Sequence, residues 1–164
     1  MKKDNKGFSL LEMLIVVAIL GIVTGMMVIS PGASRRKEME KFARILKEEI
    51  EYTQMIAMSR EGEWQLTVYE LDGEMFCAQE KKKEGSWEQE LNKSFIGYAA
   101  AVTYTKDTTL PADESGTGGT IYHIYRFDRD TGECILGSGS MEMEGQGNKL
   151  TVTVYKETGR CEIE

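Results

Sequence analysis

Residues 6–29 read KGFSLLEMLIVVAILGIVTGMMVI, and the rest of the chain is organised around them. A short polar leader with three lysines ends at Gly7, and a nearly unbroken apolar run begins at Phe8. One carboxylate, Glu12, is the fifth residue of that run, and no charge follows from Met13 to Ile29. As one helix, Phe8 to Ile29 would be roughly 33 Å long, enough to cross a hydrocarbon layer of roughly 30 Å.

Outside this stretch the chain is acidic. Its 164 residues leave room, beside one spanning segment, for one small domain. The net charge is −7; Lys2, Lys3 and Lys6 against Asp4 make the leader +2, Glu12 adds −1, and residues 31–164 therefore hold −8. A domain of that charge gains nothing from the attraction that draws basic proteins to phosphate, which disfavours wholesale nucleic-acid binding. Cys77, Cys134 and Cys161 are an odd set without metal-ligand spacing, and His123 is the only histidine, so no zinc site is expected. A Cys134–Cys161 bridge is conceivable outside the cell, but three half-buried thiols are the simpler expectation.

Three readings of the apolar run compete. A secretory signal peptide has a shorter core and a small-residue cut site, whereas Ser30-Pro31-Gly32 follows here. A plain membrane anchor fits the length but not Glu12, because an ionisable group in a spanning helix costs a few kcal/mol on insertion scales and is by default functional. Ser9-Leu10-Leu11-Glu12 also matches a capping box, in which Glu12 reaches back to the Ser9 N–H.

The third reading is a resemblance. Lys6-Gly7-Phe8-Ser9-Leu10-Leu11-Glu12 resembles the processing site of the type IV pilin and pseudopilin family. The resemblance implies that a prepilin peptidase cuts between Gly7 and Phe8 on the cytoplasmic side and N-methylates Phe8. It also implies residues 1–7 as leader peptide, 8–30 as transmembrane and assembly helix, and 31–164 as an extracytoplasmic pilin-like domain. The implied partners are that peptidase, other pilins or pseudopilins, and an inner-membrane assembly platform. Cleavage turns the Phe8 amide into an amine with a pKa near roughly 8, and methylation keeps it basic. In a low-dielectric layer that cation and Glu12 would attract strongly. A neighbour displaced along the helix axis would bring its Phe8 amine to this Glu12, and a repeated displacement builds a filament rather than a ring.

Orientation comes from the resemblance too, since Arg35, Arg36, Lys37 and Lys41 offset the leader lysines at the other end. Gly21 and Gly25 form a G-x-x-x-G, which is either a close-packing face, a point where the helix loosens, or incidental.

Beyond Pro31, which interrupts or kinks the helix, the period is helical over about 33–60. Met39, Phe42, Ala43, Leu46, Ile50, Thr53 and Ala57 form one apolar stripe that wants a sheet to cover, and Glu61-Gly62 closes the helix. From Trp64 the period is two, predicting β-sheet over about 63–164. Trp64, Leu66 and Val68 alternate with Gln65, Thr67 and Tyr69, Asp72-Gly73 turns the chain, and Glu74 to Gln79 return. Glu80 to Gly85 reads as a charged tip, Trp87 and Phe95–Tyr104 as two short strands, and Lys106–Thr120 as a loop. Ile121–Phe127, Cys134–Gly137, Leu150–Tyr155 and Cys161–Ile163 complete the strands. One long N-terminal helix followed by strands predicts an α+β, pilin-like domain on an antiparallel sheet.

The domain is also similar, through Trp64, Phe127 before Gly132, and Leu150…Gly159-Arg160, to minor pseudopilins of the H type in type II secretion and to minor pilins. Some DNA-binding minor pilins carry a second basic residue two places after the Gly-Arg; here it is Glu162. Asp128, Asp130 and Glu133 have a calcium-loop look without the full ligand pattern, and a plain turn is preferred. His123 reads as a packed side chain, and no phosphate loop, triad or cofactor motif is found, so no enzyme is expected. The resulting expectation is a prepilin-like structural subunit of a secretion pseudopilus or pilus-like filament. The alternative is a binding module of such a filament that captures DNA or a secreted substrate.

Overall fold

The computed structural model describes residues 10–27, 31–98, 103–104, 115–145 and 147–164. Two helices come first, α1 (Leu10–Met27) and α2 (Pro31–Ser59). Nine strands follow among the described residues: β1 (Trp64–Leu71), β2 (Glu74–Lys83), β3 (Ser86–Tyr98), β4 (Thr103–Tyr104), β5 (Thr120–Phe127), β6 (Cys134–Leu136), β7 (Gly139–Gly145), β8 (Asn148–Val154) and β9 (Cys161–Ile163). They form a five-stranded sheet in the order β3-β2-β1-β5-β6 and a four-stranded sheet in the order β4-β7-β8-β9. Every pairing is antiparallel. The class is α+β, with α2 packed on both sheets.

The expected stripe is what α2 buries. Met39, Phe42, Ala43, Leu46, Ile50, Thr53 and Ala57 are all buried, and Ile56 joins them. Met39, Ala43, Leu46, Ile50, Ile56 and Ala57 meet Trp64, Leu66 and Val68 from the first sheet and Met141, Met143, Val152 and Val154 from the second in one core. Truncating a central member such as Leu46 or Ile50 to alanine would cost about 2–5 kcal/mol through lost burial and a cavity. Pro31 is the first described residue of α2.

The single long helix expected from the sequence runs through residues 8–9 and 28–30, which lie outside the described residues; α1 and α2 are the parts described on either side of 28–30. The 18 residues of α1 rise about 27 Å. Among the described residues, no helix is long and apolar enough to cross a membrane.

Three strand expectations change as well. The tip at Glu80–Gly85 is smaller than expected, since β2 runs to Lys83 and only Glu84-Gly85 turns, with φ of 50° and 93°. Trp87 and Phe95 stand on one 13-residue strand, not two; two register shifts against β2 break the alternation that would have joined them. β7 was not foreseen; its Met141 and Met143 face the core while Glu142 and Glu144 alternate with them. Most of the expected loop at 106–120 lies outside the described residues, and Thr120 belongs to β5. The Asp72-Gly73 turn is as expected, with φ of 53° and 80°, the two-residue type whose twist suits a hairpin.

Candidate functional site

The N-terminal site is described from Leu10 onward; the cleavage pair Gly7 and Phe8, and the Ser9 end of the capping box, lie outside the described residues. Glu12 is the third residue of α1, in its first turn, where the helix dipole favours a negative charge. It is exposed and forms no ion pair among the described residues. Around it the helix is apolar on every side. Leu10 is 83% exposed, and Leu11, Met13, Leu14, Ile15, Val16, Val17, Ile19, Leu20 and Ile22 are all open as well. A helix that is hydrophobic all round belongs inside lipid or among other helices. The described part of the chain supplies no cover for it.

The folded part places a second group of polar side chains under cover. Residues opposite one another on paired strands share a face, and the β1–β2 register sets Gln65 opposite Glu80. Leu66, Val68 and Gln79 point to α2; Gln65, Thr67 and Glu80 point to the other face, yet all three are fully buried. Glu80 Oε2 accepts from Gln65 Nε2 at 2.9 Å and Thr67 Oγ at 2.5 Å. Its Oε1 accepts from Ser115 Oγ at 3.0 Å and the Gly116 N–H at 2.6 Å. Arg126 donates to Gln65 Oε1 at 2.7 Å and lies 4.6 Å from the Trp87 ring centre. Segment 115–119 is thus strapped over the outer face of the sheet. A side-chain carbon at Gly116 would strike the Trp87 carbonyl, and one at Gly119 the Glu70 carbonyl. On the helix side, Glu49 of α2 accepts from Gln79 and from Ser94 Oγ.

The turns singled out in the sequence meet at α2. Gln54 Nε2 donates to the carbonyl of Gly132 at 2.7 Å and of Thr158 at 2.8 Å, joining the β5–β6 and β8–β9 turns. Asp128 Oδ1 accepts from the N–H groups of Asp130 and Thr131 and from the Thr131 hydroxyl at 2.9–3.0 Å. Those bonds, the Thr131 N–H first, hold the Asp128 carboxyl below its usual range and commit it to the turn. No cluster of His, Cys, Asp or Glu fit for a metal occurs among the described residues. Arg160 is bound by Glu162 at 2.8 Å.

All three cysteines are free and buried, more deeply than half-buried. Burial, helped by the charge of Glu49, pushes Cys77 well above the ordinary thiol range. Burial pushes Cys134 to about 11 and Cys161 to about 12. His123 is packed, with Nε2 2.9 Å from the Gly137 carbonyl and its ring 4.4 Å from that of Tyr125.

Sequence reading missed Glu80 and Gln54. Glu80 was absorbed into a charge run, although counting back equally from Asp72-Gly73 sets it opposite Gln65. Gln54 gives no sequence signal, since its partners lie 78 and 104 residues away.

Compared with known families, residues 2–28 match the prokaryotic N-terminal methylation motif. That match covers Gly7, Phe8 and Glu12 and indicates a type IV pilin-like prepilin subunit. The motif implies processing by prepilin peptidase, assembly with other pilins, and a membrane anchor. No curated protein and no solved structure matches the chain.

Proposed function

We propose that this chain is a minor pseudopilin or minor pilin, a structural and non-catalytic subunit of a secretion pseudopilus or pilus-like filament. Peptidase removes residues 1–7 and methylates Phe8. The segment 8–30 is stored in the cytoplasmic membrane with its N-terminus inside, and residues 31–164 lie outside. An assembly platform then draws the subunit into the filament, where Glu12 pairs with the Phe8 amine of a neighbour. The observation that carries this reading is the methylation motif on a helix whose apolar side chains stand open on every side. The bond between Arg160 and Glu162 favours this structural role over DNA capture, because it neutralises the cation of the Gly-Arg turn. N-terminal sequencing of the membrane-extracted mature protein tests the proposal. It should begin at methylated Phe8, and a mature form that begins at Met1 would overturn it.

A further inference from the structure

The opening of α2 carries a local excess of positive charge. Residues 31–44 hold Arg35, Arg36, Lys37, Lys41 and Arg44 against Glu38 and Glu40, a net +3 at the head of a segment that totals −8. Arg36 is engaged by Glu40 at 3.0 Å. Lys37, Lys41 and Arg44 are exposed and form no ion pair among the described residues. At spacings of four and three they line one face of the helix, away from the buried Met39, Ala43 and Leu46. Farther along the same face come Glu48 and Glu51, so the basic surface is confined to the first turns. It begins ten residues after Met27, the last residue of the apolar α1.

We propose that this face docks on the anionic phospholipid headgroups of the membrane that holds the N-terminal helix; the inference rests on the prepilin reading above. Charge complementarity selects the occupant. Basic side chains next to a membrane segment are drawn to anionic lipid over a distance of about one Debye length. The stems of lysine and arginine let their charged heads reach the headgroups while the helix lies along the surface. Residues 45–164 carry the remaining −11 and are repelled, so the sheets are lifted and the contact stays local. Docking holds the stored subunit down and is given up when the filament takes it.

The full chain in lipid nanodiscs tests this, with amine acetylation of each lysine followed by mass spectrometry and exposed Lys156 as reference. In discs containing phosphatidylglycerol, Lys37 and Lys41 should react about fivefold more slowly than in phosphatidylcholine discs. High salt or Arg44→Glu should restore most of the rate. Equal rates in the two lipids would overturn docking. So would protection that persists in neutral lipid, or protection by soluble glycerol phosphate alone, which marks a free-anion site. Protection that appears only when several chains share a disc would assign the face to a neighbouring protein and overturn it too. A chain that does not enter discs at all sinks the membrane reading and this inference with it; a chain that enters unprotected sinks only this one.

Discussion

Gly159 lies so close to the side-chain amide of Gln54 that no side-chain carbon fits at the glycine without displacing it. Its φ of 62° is left-handed, and the same Gln54 nitrogen bonds the carbonyls of Gly132 and Thr158. One amide on α2 therefore fixes where two separate turns, one from each sheet, meet the helix.

Gln54→Ala should lower stability by about 1–3 kcal/mol, because it removes a donor shared by two carbonyls. Gly159→Ala should cost at least as much, since the left-handed backbone alone costs roughly 1–2 kcal/mol with a β-carbon. Adding Gln54→Ala to Gly159→Ala should cost less than the sum, because the clash is then partly relieved. Thermal melts of the full chain in mild detergent check the order; strict additivity would show that the two residues are not coupled.

These relations also show how far the sequence could be read. The α2 stripe was legible because a period of 3.6 identifies one face without knowing its partner, and the Asp72-Gly73 hairpin because its turn chemistry is local. Glu80 was not, because a charged run usually means solvent and the strap that covers it arrives from residues 115–116. β7 hid behind Met141 and Met143, weak strand signals set between glutamates. The N-terminal residues Gly7, Phe8 and Glu12 were readable as a motif, because they fall within a short contiguous stretch, residues 2–28, that matches the N-terminal methylation motif.

Glu80→Gln is expected to lose about 1.5–3 kcal/mol although it preserves shape. The carboxylate accepts on both oxygens, so an amide in either orientation sets its NH2 against an obligate N–H donor, that of Gln65 or of Gly116, while the Thr67 or Ser115 hydroxyl beside it can turn to accept. The Gly116 amide should exchange hydrogen faster as the strap loosens. Unchanged exchange at Gly116 would mean that Glu80 does not hold the segment.

The thiols predict an alkaline limb. Cys134 and Cys161 titrate in the fold at about 11 and about 12, and Cys77 is also raised. A raised pKa means that the fold favours the protonated form. That contribution is complete below the ordinary thiol value of about 8.5 and is lost as pH rises through the folded values. Burial also raises the Tyr104 hydroxyl, which donates to the Ile96 carbonyl at 3.1 Å, and it adds to the same limb. Stability should be flat up to about pH 8.5 and fall above it. Iodoacetamide at pH 8 should modify the cysteines only through unfolding, with denatured protein labelling at all three. Rapid labelling of any one of them in the native protein would contradict its burial.

Glu12→Ala separates processing from assembly. With cleavage at Gly7-Phe8 as proposed, the variant should still yield a mature protein beginning with methylated Phe8. If Glu12 pairs with a neighbour's Phe8 amine as proposed, the change leaves that amine buried without its counter-charge. Removing one partner of a buried pair costs about 3–5 kcal/mol, so incorporation should fall by roughly a hundredfold or more. Glu12→Asp keeps the charge on a shorter arm and should recover part of it, whereas Glu12→Gln keeps the shape and should not. The sheared filament fraction, probed with antibody beside the membrane fraction, reads this directly. Wild-type amounts of the alanine variant in filaments would mean that the exposed carboxylate on the first turn of α1 does not set the stagger. The apolar faces alone would then have to supply it, and a helix without a preferred face is poorly suited to fix a register.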